Sequence, residues 1–280
     1  MRTIQISESV FQQLAKQSEN FENPSETIAR VFKNYQEFLA NKGRNTDKIK
    51  EVKAERKSIL DMSFEEFYQA VQNDKIFNLT ERLNVLESCN TFFTTHNSFA
   101  NMPTKVRQAV GGTIKYLSDS NHDSSANFKI FCSMSGAGFY SGAMKQNNPY
   151  ISEALQQIPL TGEVTKEMYD SFISLFLQAF PSSGAGYGGA SRLLTVRRPD
   201  FFLPLNQANI HLLSQDFQVN VRDFAKYNKF KAYWNLVEKS HKTKWYLAEK
   251  PQDESRLKVW KNRCALTDVF YYNPKFQEEE

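Results

Sequence analysis

The sequence predicts a mainly α-helical domain preceded by a small strand–helix–helix module. Two observations carry the helical part: apolar residues recur at helical spacing almost continuously from Ile59 onward, and strand-like alternation is scarce there. A third sets the module apart, because the first forty or so residues hold one alternating stretch and two helical stripes before a charged run interrupts them. The chain's 280 residues suit one large domain plus a small one, with room for a sizeable core. A net charge of +4 permits nucleic acid without requiring it, so the placement of the charges decides. No run approaches the roughly 18 apolar residues needed to span a bilayer, and no signal-peptide core opens the chain. The three cysteines, Cys89, Cys132 and Cys264, stand singly, which excludes a disulfide framework and a paired-cysteine zinc site. A reducing cytoplasmic setting is the expectation. Phenylalanine is in excess, 23 residues against 11 glycines and 9 prolines.

Residues 1–41 form the first module. Thr3-Ile4-Gln5-Ile6 alternates as a half-buried strand does, and Ser7 reads as an N-cap ahead of a stripe at Val10, Phe11, Leu14 and Ala15. Asn23-Pro24-Ser25 breaks that helix and opens another, with Ile28, Val31, Phe32, Tyr35, Phe38 and Leu39 on its apolar face. This order resembles the ribbon-helix-helix DNA-binding fold. The resemblance implies a homodimer paired through its strands, whose ribbon enters the major groove with Arg2, Thr3 and Gln5 toward the bases. A plain packing or dimerisation module is the alternative. Residues 42–58 carry both charge signs and few apolar side chains, as a linker or solvated helix would.

Residues 59–280 are the helical domain. Helices are expected over 63–74, 78–95, 103–119, 150–158, 165–180, 188–197, 206–216, 221–239 and 253–270. The most informative stretch runs from Phe180 to Leu194. An amphipathic helix (Met168, Phe172, Leu175, Phe176) leads into Ser183-Gly184-Ala185-Gly186-Tyr187-Gly188-Gly189-Ala190, and Leu193 and Leu194 continue a second helix. Glycines permit the tight turn, and bare N–H groups at the second helix's start suit a DNA phosphate.

This layout resembles the helix-hairpin-helix DNA glycosylases of the endonuclease III and oxoguanine glycosylase type. Their Pro-Gly-Val-Gly hairpin is matched here by Ser183-Gly184-Ala185-Gly186, and the alanine that packs the second helix by Ala190. The family's catalytic Asp follows the second hairpin glycine by about twenty residues, which lands on Asn206 in Leu203-Pro204-Leu205-Asn206-Gln207-Ala208-Asn209. A neutral amide can position water but is a poor base and brings no negative charge. The lysine of bifunctional members is replaced by Gly188, so the resemblance implies monofunctional hydrolysis without a Schiff base, and the family's iron–sulfur cysteines are missing. No cofactor or metal is implied. Asp200 and Asp216 are the nearest other acids.

Ser135-Gly136-Ala137-Gly138-Phe139-Tyr140-Ser141-Gly142-Ala143 echoes the hairpin. With Tyr187, Phe139 and Tyr140 are candidates to stack on an extruded base, a core plug being the plainer reading. Arg192, Arg197 and Arg198 follow the glycines where phosphates would pass, and Lys129 and Lys145 flank the echo. His96, His122, His211 and His241 show no metal-ligand spacing. Pro199-Asp200 invites a restriction-type nuclease reading, but the Glu-x-Lys triplets Glu51-Val52-Lys53 and Glu55-Arg56-Lys57 come before it, in the wrong order. All three tryptophans fall after residue 230, among clustered aromatics read first as core.

These readings converge on a bacterial, nucleoid-associated protein that binds double-stranded DNA and excises a flipped damaged or modified base. Resemblance extends to the phage-defence glycosylases that remove glucosylated hydroxymethylcytosine. A non-catalytic DNA-binding regulator with a degenerate glycosylase fold is the competing expectation.

Overall fold

The computed structural model describes residues 33, 58–74, 76–117, 126–181, 186–221, 224 and 229–272. The chain divides into two units, Met1–Arg56 and Lys57–Glu280. Of the first, only Lys33 is described, exposed and helical. The ribbon-helix-helix reading, with Arg2, Thr3 and Gln5, therefore lies outside the described residues.

The second unit is helical, with twelve α-helices and no β-strand among the described residues. Helix α1 (Phe64–Gln72) starts at a capping box: Ser63 Oγ accepts the Glu66 N–H, and Glu66 accepts the Ser63 N–H at 2.9 Å. Helix α2 (Leu79–Thr95) is capped by Asn78 and buries Val85, Leu86, Cys89, Phe92 and Phe93. Helix α3 (Thr104–Val110) is less than half the length its periodicity predicts. It stops because Gly112 takes φ +69°, and a Cβ there would meet the Cys132 carbonyl at 2.9 Å.

Helix α4 (Gly138–Gln146) forms in the stretch that echoes the hairpin, where no helix is expected. Its glycines are poor helix formers, and burial of Tyr140, Ala143 and Met144 overrides that cost. Helix α5 (Pro149–Gln156) has Asn148 as cap and Pro149 in its first turn, and helix α6 (Lys166–Gln178) is capped by Thr165. Helix α7 (Tyr187–Arg197) is the centre of the unit, since every residue from Gly189 to Val196 is buried. It packs against α2, α5 and α9. Helices α8 (Ile210–Asp216), α9 (Lys229–Ser240), α10 (Lys244–Leu247), α11 (Glu254–Lys261) and α12 (Asp268–Tyr271) complete the order. The expected single helix over 253–270 is thus two, separated by a turn and a 3-10 segment at Ala265–Thr267.

The phenylalanine excess goes into this core. Phe172, Phe176, Phe180 and Tyr140 form one ladder, while Tyr169, Phe202, Tyr233 and Trp234 form a second. Phe67 stacks between Trp245 and Phe270 in a third. Two of the three tryptophans are therefore core residues, as the plainer reading had it.

His241 belongs to the same packing. Its ring lies 3.9 Å from that of Tyr246, and Nε2 stands 2.9 Å from the Phe201 carbonyl, which accepts its proton. Burial pulls its pKa from the ordinary 6.5 to about 4. Unfolded chains bind the extra proton below about 6.5 and the folded one does not, so stability is lost as pH falls from 6.5 to about 4. Up to about 3 kcal/mol should disappear across that window in denaturant titrations. His241→Gln should flatten that part of the profile; an unchanged slope would refute the assignment.

Candidate functional site

The glycine-rich stretch and the Asn206 loop meet at the start of α7. Gly186 is the N-cap, extended at φ −85° and ψ 155°, and as a glycine it brings no capping side chain of its own. The positive end of the helix dipole points from this turn. One turn on, Gly189 lies against Tyr140 so closely that a Cβ would stand 2.7 Å from the ring. The two echoing glycine segments therefore pack on one another, with the aromatic of the first seated on the glycine of the second. Gly184 and Ser183 lie outside the described residues, so the hairpin turn does too.

Ser191 joins this helix to the Asn206 loop. Its buried hydroxyl accepts the Leu205 N–H at 3.1 Å and shares its own proton between the carbonyls of Leu205 (3.0 Å) and Gly188 (3.2 Å). The loop is then closed by two asparagines that serve each other. Asn206 N–H donates to Asn209 Oδ1 at 2.8 Å, and Asn209 N–H donates to Asn206 Oδ1 at 3.1 Å. Asn209, fully buried, also donates through Nδ2 to the Pro204 carbonyl (2.9 Å) and to Asp268 Oδ1 (3.3 Å). Behind Asp268 stands a buried ion triad, Asp74–Arg82–Asp268.

A second wall comes from residues 130–134. Phe131 and Cys132 both take positive φ, 62° and 71°, a pairing that costs non-glycine residues on the order of 1 kcal/mol or more each. Arg192 holds them there through the carbonyls of Ile130 and Phe131. The result places Cys132 Sγ where Asn206 Nδ2 donates to it at 3.6 Å, with Ser191 Oγ at 3.9 Å. Burial, reinforced by the nearby negative Asp268, pushes this thiol up to about 12. It is a neutral acceptor at physiological pH, not a nucleophile. Asn206 itself is half-buried and keeps one amide hydrogen and one carbonyl lone pair for a water or substrate atom.

The arginines correct the sequence-based expectation. Arg192 is fully buried and spends four of its five N–H groups on the Val110 (2.9 Å), Ala109 (3.1 Å), Ile130 and Phe131 carbonyls, so its guanidinium is out of reach of a phosphate. Arg198 is buried as well, bidentate on Asp200 at 2.8 and 2.9 Å, and it fixes the Pro159 and Gly162 carbonyls. That pairing also occupies the acid of the nuclease reading, whose Glu-x-Lys triplets lie outside the described residues. Arg197 is half-buried at the far end of α7, about 16 Å from Gly186 at 1.5 Å per residue. Asp216 is buried and accepts the Tyr271 hydroxyl at 3.0 Å.

The aromatic candidates separate. Tyr140 is wholly buried, which takes it out of any open base pocket and leaves the core-plug reading for it. Phe139 is 68% exposed, and Tyr187 is half-buried, edge-on to Phe224. Among the described residues no three His, Cys, Asp or Glu side chains gather as a metal would need, and no helix is long and apolar enough to cross a membrane. Cys132, Ser191, Asn209 and Asp268 are the site residues that sequence reasoning missed. Asn209 carried a faint signal, three residues after Asn206 on the same loop. No protein-family model, curated protein or solved structure matches the chain.

Proposed function

We propose that this chain binds double-stranded DNA and hydrolyses the N-glycosidic bond of a damaged or modified base turned out of the helix, leaving an abasic site. The observation that supports it most is the Ser191 bridge, which fastens the Asn206 loop to the glycine-rich first turn of α7. On this reading the helix end takes a backbone phosphate and Asn206 orients a water. The water oxygen bonds to the sugar C1′ as the bond to the base nitrogen breaks. The departing base keeps the electron pair and gains a proton from solvent, to which the attacking water loses one. Gly188, where a lysine would form a Schiff base, excludes a lyase step at that position. The N-terminal module would dock the chain on the duplex as a homodimer.

DNA carrying normal, damaged or hypermodified bases, cytosine included, should be scored for abasic sites by alkaline cleavage. Asn206→Ala is expected to slow excision by about a hundredfold, the scale of losing one positioned hydrogen-bonding group. If every substrate stays intact, for the natural chain and for Asn206→Asp, the hydrolytic reading fails. Retained DNA binding would then favour the non-catalytic reading, which the engagement of Asn206 Oδ1 by Asn209 also supports.

A further inference from the structure

A cleft of about 560 Å³ lies between α2, the 160–162 loop, the end of α7 and α11. Four cations line it, Arg197, Arg198, Lys258 and Lys261, against two carboxylates, Glu87 and Asp200. Arg198 and Asp200 neutralise each other, and Lys258 has Glu254 at 3.3 Å in an exposed pair. Arg197 and Lys261 pair with no carboxylate among the described residues. Arg197 is the unusual one. Its Nε donates to the Ile158 carbonyl at 2.9 Å, its guanidinium stacks 4.8 Å from the Phe93 ring, and no negative group offsets its charge. Burial and the adjacent Arg198 both disfavour that charge. A half-buried cation kept without a counter-ion favours an incoming anion.

The remaining wall is mostly apolar, Leu83, Leu86, Leu160, Pro199 and Trp260, with Asn90, Thr161 and Asn262 among them. It is also preformed. Arg198 pins the 159–162 loop through two carbonyls, while Trp260 donates to the Ala248 carbonyl at 3.0 Å with Arg263 stacked 4.2 Å from its ring. The volume falls within the range of small-ligand sites. We infer that this cleft binds a nucleoside monophosphate, its phosphate on Arg197 and Lys261 and its base against the wall of Trp260 and the leucines. The site stands about 16 Å along α7 from Gly186 and does not depend on the hydrolytic reading.

Calorimetric titration of the full chain with dAMP, dCMP and inorganic phosphate tests it. Both nucleotides should bind, phosphate more weakly. Arg197→Met, which keeps an unbranched side chain but no charge, and the exposed Lys261→Glu should each weaken dAMP at least tenfold. Lys261→Glu keeps the test valid if Arg197→Met fails to fold. A 5′-phosphorylated tetranucleotide that competes with dAMP would identify the ligand as a strand end; failure to compete would identify a free nucleotide. No binding by the natural chain, or affinity unchanged in Lys261→Glu and in any folded Arg197→Met, would overturn the site.

Discussion

Arg192→Met is expected to destabilise the helical unit by about 3–5 kcal/mol, because it strips a donor from four buried carbonyls at once. Methionine fills most of the arginine stem's volume but offers no N–H. The Ala109 and Val110 carbonyls lie at the end of α3, and those of Ile130 and Phe131 lie in the loop that presents Cys132. One side chain on the central helix therefore ties two distant segments to α7, and it balances the left-handed backbone of Phe131 and Cys132. Urea titration should show a lower midpoint with an unchanged slope. A second readout follows from Cys132. Its neutral, buried thiol should resist alkylation in the natural protein at pH 8, and it should become labelled under native conditions in Arg192→Lys, whose ammonium cannot span all four acceptors. A loss below about 1 kcal/mol in Arg192→Met would contradict this account.

The same residue marks where sequence reasoning stops. Arg192, Arg197 and Arg198 follow the glycines within one helix, and nothing in their spacing distinguishes a phosphate contact from an internal clamp. That distinction depends on where α3 and residues 130–132 return in space. Helix periodicity was legible wherever an amphipathic stripe faces one side, as in α1, α5 and α6. It misled where tertiary burial overrides propensity, as at Gly138–Gln146, and where Gly111-Gly112 ends α3 against a carbonyl that no local pattern reveals. At the candidate site, the frame from Gly186 to Asn206 was readable because one continuous stretch carries it. Cys132 and Asp268 reach the same loop from positions more than fifty residues away in each direction, and no spacing rule connects them to it.

Arg82→Met is expected to cost about 3–5 kcal/mol by a different route, through orphaned charge instead of orphaned carbonyls. Arg82 is fully buried, with Nε 3.0 Å from Asp74 and Nη1 2.7 Å from Asp268, and both carboxylates are themselves at most 4% exposed. The faces of Phe77 and Phe131 enclose the guanidinium at 5.3 and 5.7 Å. Removing the cation leaves two carboxylates in this apolar surround with only hydrogen bonds to offset them: Ile76 and Phe77 N–H groups on Asp74, and the Asn209 amide on Asp268. Because the penalty is mainly the stranded charge, Asp268→Asn added to Arg82→Met should recover part of the loss. The double-mutant cycle should therefore be strongly non-additive. Simple additivity would mean that the triad is held by packing and not by charge. The asparagine carbonyl at position 268 can still accept from Asn209, so the loop that carries Asn206 keeps its anchor in the double variant. The added substitution should therefore recover stability without releasing the Asn206 loop.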